Sequence, residues 1–474
     1  MKKSYVKDMT VGNPTKLLLV FMVPMIIGNV FQQLYNMVDS MIVGQVVGAN
    51  ALAAVGATGS LNFFFFSLCG GMSNGTGVVI SQHFGAGNHD YVKKAIANAA
   101  YIMIVVGAVM GTLGFLLSRP MLTLLNTPDN VLDDAVLYMQ IMCAGVLAVA
   151  MYNCISAILR AVGDSKTPLY FLIVASVLNI ILDLLFVKTF GMGVAGAGIA
   201  TIISQLLSGV GSIIFAICKN PYFKIEKSLM KPDFDIIWQC TRMGVPLAFQ
   251  TSLISISCIA LQSDVNTFGS VVMAAFTATS RIEQLVQQPY NSLGMAMSTY
   301  AGQNIGAGKI DRVRLGYRKG MMIMALFSLM MIPLAQFCGE AVMRMFVKEE
   351  EVIALGAQAF KITSWFYLFL GTVYVTRGLL NGAGDAVFAF ANGVVEMLGR
   401  ICLARPLTLI PAVGVWGVWL ATALTWMIAG SFNASRYFQG KWKKIALKRQ
   451  AAESAQEASQ EEVKTFMAKE STVQ

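Results

Sequence analysis

Twelve apolar stretches divide the sequence, and each is long enough to cross a lipid bilayer as a tilted helix, which needs about 20 residues. A membrane-spanning segment must satisfy its own backbone hydrogen bonds, and the alternating pattern that strands of a barrel require is missing. The chain is therefore predicted to be an all-α integral membrane protein with twelve transmembrane helices. Their approximate spans are 16–42, 52–80, 96–118, 136–158, 168–188, 194–217, 238–263, 271–300, 317–338, 355–380, 386–409 and 414–435.

Charge follows the same segmentation. The 474 residues are 56% hydrophobic and 13% charged, and the net charge is +10. A basic balance is also typical of nucleic-acid binding, but here 27 Lys and Arg fall in the segments on the side of the N-terminus and 5 in the loops on the other side. This bias predicts that both termini are cytoplasmic and that the bilayer, not nucleic acid, is the partner.

An internal repeat relates the two halves. Matching landmarks recur 221 residues apart, as the differences 306 − 85, 384 − 163 and 414 − 193 show. Pro24 in the first span has Pro246 in the seventh, one residue off this register. Because six spans separate the copies, both begin on the same side, which predicts two six-helix lobes related by an axis along the membrane normal. The landmarks are Gly85-Ala86-Gly87 with Gly306-Ala307-Gly308, Gly163-Asp164 with Gly384-Asp385, and Gly193 and Gly196 with Gly414 and Gly417.

The repeat sets the predicted domain boundaries: an N-terminal lobe at 1–218, a basic cytoplasmic linker at 219–237, a C-terminal lobe at 238–440 and a polar cytoplasmic tail at 441–474. Two such lobes favour an alternating-access transporter. A membrane enzyme is the competing class, but the sequence has only two histidines, no metal-ligand cluster and no nucleophile motif. It also lacks a Walker A motif, so ATP is not the built-in energy source. We expect no cofactor, with a proton or sodium as the coupling ion.

The first span carries a polar stripe. Asn29, Gln32, Asn36 and Asp39 are three or four residues apart and share one helix face. A carboxylate in a membrane span is costly and generally faces a cavity or a partner. The alternative is that Asp39 caps a helix end at the interface. Pro24, one turn before the stripe, removes a backbone donor, so Pro24 and its counterpart Pro246 are candidate hinges.

Four motifs are distinctive: Pro24 with Gln32-Gln33-Leu34-Tyr35-Asn36, Asp39 and Gly44; Ala51-Leu52-Ala53-Ala54-Val55-Gly56; the paired Gly-Ala-Gly loops; and LRAVGDSKTP echoed by LLNGAGDAVFAF. These features resemble the multidrug and toxic compound extrusion (MATE) family over the chain up to about Arg436. The resemblance implies a V-shaped, twelve-helix exporter of the bacterial cytoplasmic membrane that couples cation influx to drug efflux, and we expect a monomer. Lipid-linked oligosaccharide or lipid flippases of the same superfamily are the alternative.

One branch of the family binds its coupling ion in the N-terminal lobe, and the resemblance assigns that role to Asp39, Asn179, Asp183 and Thr201. Two carboxylates that face one low-dielectric cavity cannot both stay ionised at low cost, and one proton or sodium ion relieves their repulsion. The oxygen ligands suit sodium as well as a proton, so the coupling ion stays open. The alternative is that Asp183 only bonds a neighbouring helix. The repeat converts Asp183 into Ala404, so the acid pair belongs to one lobe.

A second polar stripe, which begins at Glu283 in the eighth span, is suited to binding an organic cation.

Two further expectations concern the partners of charged residues within the spans. Glu283 has Arg281 as an alternative partner, and Glu396 with Arg400 is predicted to form an intrahelical ion pair. With Arg281 and Arg400 as the only deep cations, a flippase for pyrophosphate-linked lipids is disfavoured. The predicted substrate-cavity residues are Gln32, Asn36, Glu283, Gln287 and Tyr290.

Overall fold

The computed structural model describes residues 6–125 and 127–447, and every regular element in them is helical. Two short widened helical turns with i→i+5 hydrogen bonds, Val43–Val47 and Leu184–Thr189, extend α1 and α6. The α-helices are α1 (Pro14–Ile42), α2 (Ala49–Gly85), α3 (His89–Leu124), α4 (Asp129–Ala144), α5 (Val146–Ala161), α6 (Lys166–Asp183), α7 (Gly193–Lys219), α8 (Phe234–Asn266), α9 (Ser270–Gly306), α10 (Ile310–Arg344), α11 (Glu350–Ser364), α12 (Tyr367–Gly382), α13 (Ala386–Leu409) and α14 (Gly417–Gln439).

The helices confirm an all-helical membrane architecture. Nine helical segments of the described chain are long and apolar enough to span a bilayer, and two more spans are bent pairs: α4 with α5 at 47°, and α11 with α12 at 57°. The helix at the predicted eighth span, α9, is not among these eleven. Its sequence is rich in Ser, Thr, Gln and Asn, and several of these side chains bond to other helices.

The repeat is confirmed in the lengths and turns of the helices. α2 and α9 each have 37 residues, and 270 − 49 and 306 − 85 both give 221. The turns after them use Gly87 (φ 77°) and Gly308 (φ 73°), again 221 apart. A side chain is strained at such φ values. The Gly-Ala-Gly landmark therefore recurs because each lobe needs the same left-handed turn.

Local sequence sets where several helices begin. Asn13 caps α1 by accepting from the Thr15 backbone N–H at 2.9 Å, and Pro14 occupies the first helical position. Asp164 caps α6 by accepting from the backbone N–H groups of Lys166 and Thr167, each at 3.0 Å. Burial raises the pKa of the Asp164 carboxyl, and its hydrogen bonds with Thr167 oppose that change.

The backbones of the two lobes lie in contact where α2 crosses α8. A Cβ atom added to Gly75 would lie 2.3 Å from the Gly244 Cα, and one added to Gly71 would lie 2.2 Å from the Ala248 Cα. Two small residues spaced four apart on each helix thus let the backbones touch, which is the usual close-packing pattern of membrane helices.

The lobes are also joined on the side that carries the N-terminus, which we call the N-terminal face. Gln82 Nε2 of α2 donates to the Gly382 carbonyl oxygen at 2.7 Å, and Gln303 Nε2 of α9 donates to the Ala161 carbonyl oxygen at 2.8 Å. The pairs are equivalent in the repeat, because 303 − 82 and 382 − 161 both equal 221. The Met9 backbone N–H donates to Gln303 Oε1 at 2.8 Å, so the N-terminal segment passes across both lobes.

Away from the N-terminal face, the hydrogen bonds between the lobes lie near the middle of the helices. Asn29 Nδ2 donates to Ser292 Oγ at 3.2 Å, and the hydroxyls of Ser67 and Ser252 are 3.1 Å apart. In residues 6–125 and 127–447, no hydrogen bond joins the lobes near the opposite face. The molecule is therefore held closed at its N-terminal face.

The connection between the lobes and the chain end complete the fold. Residues 220–233 link α7 to α8, so the observed link is shorter than the predicted one at 219–237. The link lies against α3, where the Tyr101 hydroxyl donates to the Met230 carbonyl oxygen at 2.7 Å. The predicted polar tail at 441–474 lies outside the described residues from 448 onward.

Candidate functional site

The acids of the N-terminal lobe lie where two helices change their winding. Asp39 is one turn before the end of α1, and Asp183 is the last residue of α6. The widened turns follow directly, at Val43–Val47 and Leu184–Thr189, and pack against each other. Such turns are rare within helices and are frequent at functional sites.

The structure brings the four predicted coupling residues together. Asp183 is fully buried, Asn179 is 2% exposed, and Asp39 is partly buried. The two carboxyl groups interact directly with each other. Asn179 Nδ2 donates to Thr201 Oγ1 of α7 at 3.4 Å, which completes the set.

Four oxygens of this site are buried and accept no hydrogen bond from any other described group: Asp39 Oδ1, Asn179 Oδ1 and both Oδ atoms of Asp183. No Lys or Arg of residues 6–125 and 127–447 forms an ion pair with either acid. Asp39 and Asp183 lie on neighbouring helices and contact each other, so the alternative in which Asp183 joins two helices is compatible with this geometry. Apart from that contact, the site is a cluster of acceptor oxygens without a donor from another described residue.

Three polar neighbours of the acids were not predicted as site residues. Tyr35 of α1 and Tyr138 of α4 both lie close enough to interact with the two carboxylates, and Gln205 of α7 lies beside Tyr35. Tyr35 is four residues before Asp39, so the helical period could have predicted that both residues lie on one face of α1. No such pattern predicted Tyr138, because α4 shows no polar stripe and its position depends on how the helices pack.

Closer to the N-terminal face, α1, α2, α5 and α6 line a cavity of about 180 Å³, to which the C-terminal lobe contributes Met295 of α9. Gln32 lines it, as predicted for a substrate-contacting residue, and Pro24 forms part of the same wall. Asn36 is exposed and is not among the residues around this cavity. Arg160 also lines it. The predicted fourth span ended at residue 158 and so placed Arg160 in a loop, which was wrong because α5 extends to Ala161.

In the C-terminal lobe the predicted ion pair between Glu396 and Arg400 is wrong. Glu396 Oε1 accepts from Arg377 Nη1 at 3.0 Å and from Asn392 Nδ2 at 2.8 Å. Arg400 Nη1 donates to Ser257 Oγ of α8 at 2.8 Å. The helical spacing of four permitted the pair, but neighbouring helices offer each side chain a buried partner. Arg377 lies within the predicted span 355–380 but was not counted among the deep cations.

The predicted residues of α9 lie in different surroundings. Glu283 Oε1 is buried without a hydrogen-bond partner among the described residues. Arg281, its alternative partner, is exposed and forms no ion pair with a described carboxylate. Gln287 Oε1 accepts from the Tyr374 hydroxyl at 3.1 Å. Tyr290 is fully buried and bonds Ser328 at 2.8 Å, so it lies in the lobe core and not on the predicted cavity wall.

The two candidate hinges lie inside long continuous helices. Pro24 is buried within α1, and Pro246 lies within α8 between Gly244 and Ala248, the residues that contact α2. Both prolines therefore sit beside surfaces where the lobes or helices meet.

Comparison with known proteins agrees with this architecture. The sequence model of the MatE family matches residues 24–185 and 246–404, one stretch in each lobe. A Bacillus subtilis (strain 168) protein described as "Probable multidrug resistance protein YpnP" is 31% identical and covers 93% of this chain and 98% of its own length. The FAD transporter of Shewanella oneidensis is 24% identical and covers 88% of this chain and 92% of its own.

Solved structures share the fold. The outward-facing conformation of a multidrug resistance MATE family transporter of the MOP superfamily has a TM-score of 0.86 with this structure at 22% sequence identity. The match covers 94% of this chain and 100% of that one. The family match in both lobes, the 31% identity across nearly the whole chain and the shared fold lead to one conclusion: this protein belongs to the MatE family of multi-pass membrane transporters and is not an enzyme.

Proposed function

We propose that the protein exports drug-like organic compounds in exchange for protons or sodium ions, which bind at Asp39, Asn179, Asp183 and Thr201. The observation that carries this proposal is the cluster of four buried oxygens without a hydrogen-bond donor. Leaving buried acceptors unpaired is costly, and an unpaired buried charge costs more. A bound proton or sodium ion removes that cost.

The site explains how ion binding and export can be coupled. The carboxyl pair lies beyond the middle of α1, on the side away from the face where the lobes are joined. An ion would therefore reach it from the opposite face. Neutralising the acids removes the negative field that holds a cationic substrate, so ion binding promotes substrate release.

Orientation follows from the charge bias of the loops. With 27 Lys and Arg on the side of the N-terminus and 5 on the other, the N-terminal face is cytoplasmic and the ion arrives from outside the cell. The bacterial relatives point to the cytoplasmic membrane as the location. We retain the division into lobes at 1–218 and 238–440, because the joined helices fall on either side of the connector, and we propose that each monomer transports independently.

The test is substrate efflux from proteoliposomes under an imposed proton or sodium gradient. Asp39→Asn and Asp183→Asn should each abolish gradient-driven export of an ethidium-type dye. The double variant should be scarcely worse than either single one, because the two groups act as a unit. Asp134→Asn, which alters an exposed acid of the same lobe, should export normally. Gradients of each ion, applied separately, identify the coupling ion.

Normal gradient-driven export by both single variants would show that the coupling site lies elsewhere. Glu283, with its unpartnered buried oxygen in the C-terminal lobe, would then be the next candidate. In the present proposal Glu283 and Gln287 contact a cationic substrate, together with Gln32 and Asn36 of α1.

The second candidate function is transport of a phosphate-bearing compound, such as a lipid-linked oligosaccharide. The observation that favours it is Arg160, a cation on the wall of the N-lobe cavity. A labelled lipid-linked sugar included in the same proteoliposomes separates the two functions. Its translocation, without any movement of dye, would support the flippase.

A further inference from the structure

The cavity of the N-terminal lobe has an unbalanced positive charge. Arg160, in the last turn of α5, is the only charged side chain among the described residues that line it. Its guanidinium forms no hydrogen bond and no ion pair with any residue in 6–125 or 127–447. A guanidinium has five N–H donors in a planar fork that matches carboxylate and phosphate oxygens.

Other donors share the wall with Arg160. Ser156, one turn earlier on α5, is 3% exposed, and its Oγ has no hydrogen-bond partner among the described residues. The neighbouring Tyr152 hydroxyl donates elsewhere, to the Pro168 carbonyl oxygen at 3.2 Å. From α2, Asn74 exposes its side-chain amide to the same space. The cavity thus combines a guanidinium, a hydroxyl and an amide, with no carboxylate among the described residues of its wall.

The repeat shows that this arrangement is particular to one lobe. The position equivalent to Ser156 in the C-terminal lobe is Arg377, since 377 − 156 equals 221. Arg377 is neutralised by Glu396 at 3.0 Å. Arg160 corresponds instead to Asn381, which is uncharged. The fold that the two lobes share therefore requires neither a cation at the position of Arg160 nor an acid to pair with it. A partly buried cation that lacks a partner is costly unless a ligand completes it.

Two structural roles would explain why a cation stands at the position of Arg160, but neither explains the polar groups around it. A positive charge in the last turn of a helix interacts favourably with the helix dipole. An arginine close to a membrane face can also extend towards water. Neither role requires that the guanidinium share a cavity with unpartnered Ser156 and the exposed amide of Asn74.

We propose that Arg160 is the centre of an oxyanion subsite that binds the carboxylate or phosphate group of an anionic or zwitterionic organic substrate. The rest of the substrate extends along α1 towards Asn29 and Gln32, which line the same cavity. This inference rests on the proposed export function and narrows its substrate class, because a purely cationic compound would meet a positive wall here.

The test measures binding and needs no gradient. Purified full-length protein in a neutral detergent is titrated with a carboxylate-bearing fluoroquinolone and with its methyl ester. The wild type should bind the acid about tenfold more tightly than the ester, as expected for one charge-assisted hydrogen-bonded pair. Arg160→Lys should keep most of that preference, and Arg160→Gln should remove it. Arg318→Gln, which alters an exposed arginine of α10, is the matched control and should bind like the wild type.

Other results would overturn the subsite. Equal affinity of the wild type for acid and ester, or a full preference retained in Arg160→Gln, would do so. Displacement of the acid by phosphatidylglycerol in mixed micelles, dependent on Arg160, would reassign the oxyanion to a lipid headgroup. Asp39→Asn should keep the preference even where it cannot transport, so a failure of ion coupling is distinguishable from a failure of the subsite. Size-exclusion profiles confirm that each variant is folded.

Discussion

The two lobes treat their buried charges differently at the level of single residues. In the C-terminal lobe, Arg377 and Glu396 are 17% and 6% exposed and neutralise each other at 3.0 Å. In the N-terminal lobe, Asp39 and Asp183 have no cation and Arg160 has no anion among the described residues. Buried pairs of opposite charge are structural in most proteins, whereas buried groups of one sign are retained where a ligand supplies the missing charge.

This difference predicts how the C-terminal pair responds to mutation. Arg377→Gln should destabilise the protein by about 3–5 kcal/mol, because it leaves the Glu396 carboxylate buried with only Asn392 as a donor. The control is Arg344→Gln, which breaks an exposed pair with Glu350 and should leave stability nearly unchanged. Thermal unfolding of both variants in detergent checks this. Similar melting temperatures for the two would mean that the Arg377 pair is not buried in solution.

Single residues also show what sequence can and cannot supply. The stripe that ends at Asp39 was found because residues on one helix face obey a fixed period. The same rule failed for Glu396 and Arg400, because it describes one helix at a time and the real partners, Arg377 and Ser257, lie on α12 and α8. Tyr138 was missed for the same reason.

At the level of helices, the repeat made most of the chain predictable. The predicted spans overlap the observed helices because the landmarks mark turns that require glycine, such as Gly87 and Gly308. The bends between α4 and α5 and between α11 and α12 were not predicted. Neither were the widened turns after Asp39 and Asp183, because an extra residue per turn leaves no trace in hydropathy and depends on packing between the helices.

Pro24 gives a prediction at this level. It has no N–H to donate to the carbonyl of Val20, so α1 can bend there at a lower cost than elsewhere. Pro24→Ala should restore that hydrogen bond and slow transport severalfold in proteoliposomes, while expression and folding stay normal. Pro333→Ala, at an exposed proline inside α10, should transport at the wild-type rate. If the two variants are equally active, Pro24 shapes the cavity wall but is not a hinge.

For the molecule as a whole, the contacts between the two lobes show which face of the transporter is closed. The backbones of α2 and α8 touch at Gly75 and Gly244, and the reciprocal glutamine bonds lie at the N-terminal face. The acid pair lies towards the face where the described parts of the lobes are not bonded. In the proposed orientation, a transporter in this state is closed towards the cytoplasm, and the proposed ion site lies on its outward side.

These contacts between lobes were beyond the reach of the sequence. No pattern predicts the partner of Gln82, because a glutamine near a helix end has many alternatives and Gly382 is 300 residues away. Once the register of 221 is known, however, Gln82 and Gln303 are equivalent residues. Their bonds to Gly382 and Ala161 then follow as one contact repeated by the pseudo-symmetry of the lobes.

The two glutamines should therefore act as a latch that holds the N-terminal face closed. Gln303→Leu should open this face more than Gln82→Leu, because Gln303 also accepts from the Met9 N–H at 2.8 Å whereas Gln82 Oε1 has no partner among the described residues. Gln284→Leu, at an exposed glutamine of α9, is the control.

Spin labels at Asp90 and Asp311, exposed and equivalent in the repeat, report the distance across this face in a cysteine-free background. Longer distances are expected in Gln82→Leu, the longest in Gln303→Leu and in the double variant. Distances unchanged in all three would show that other contacts between the lobes close the face and that the glutamines are not a latch.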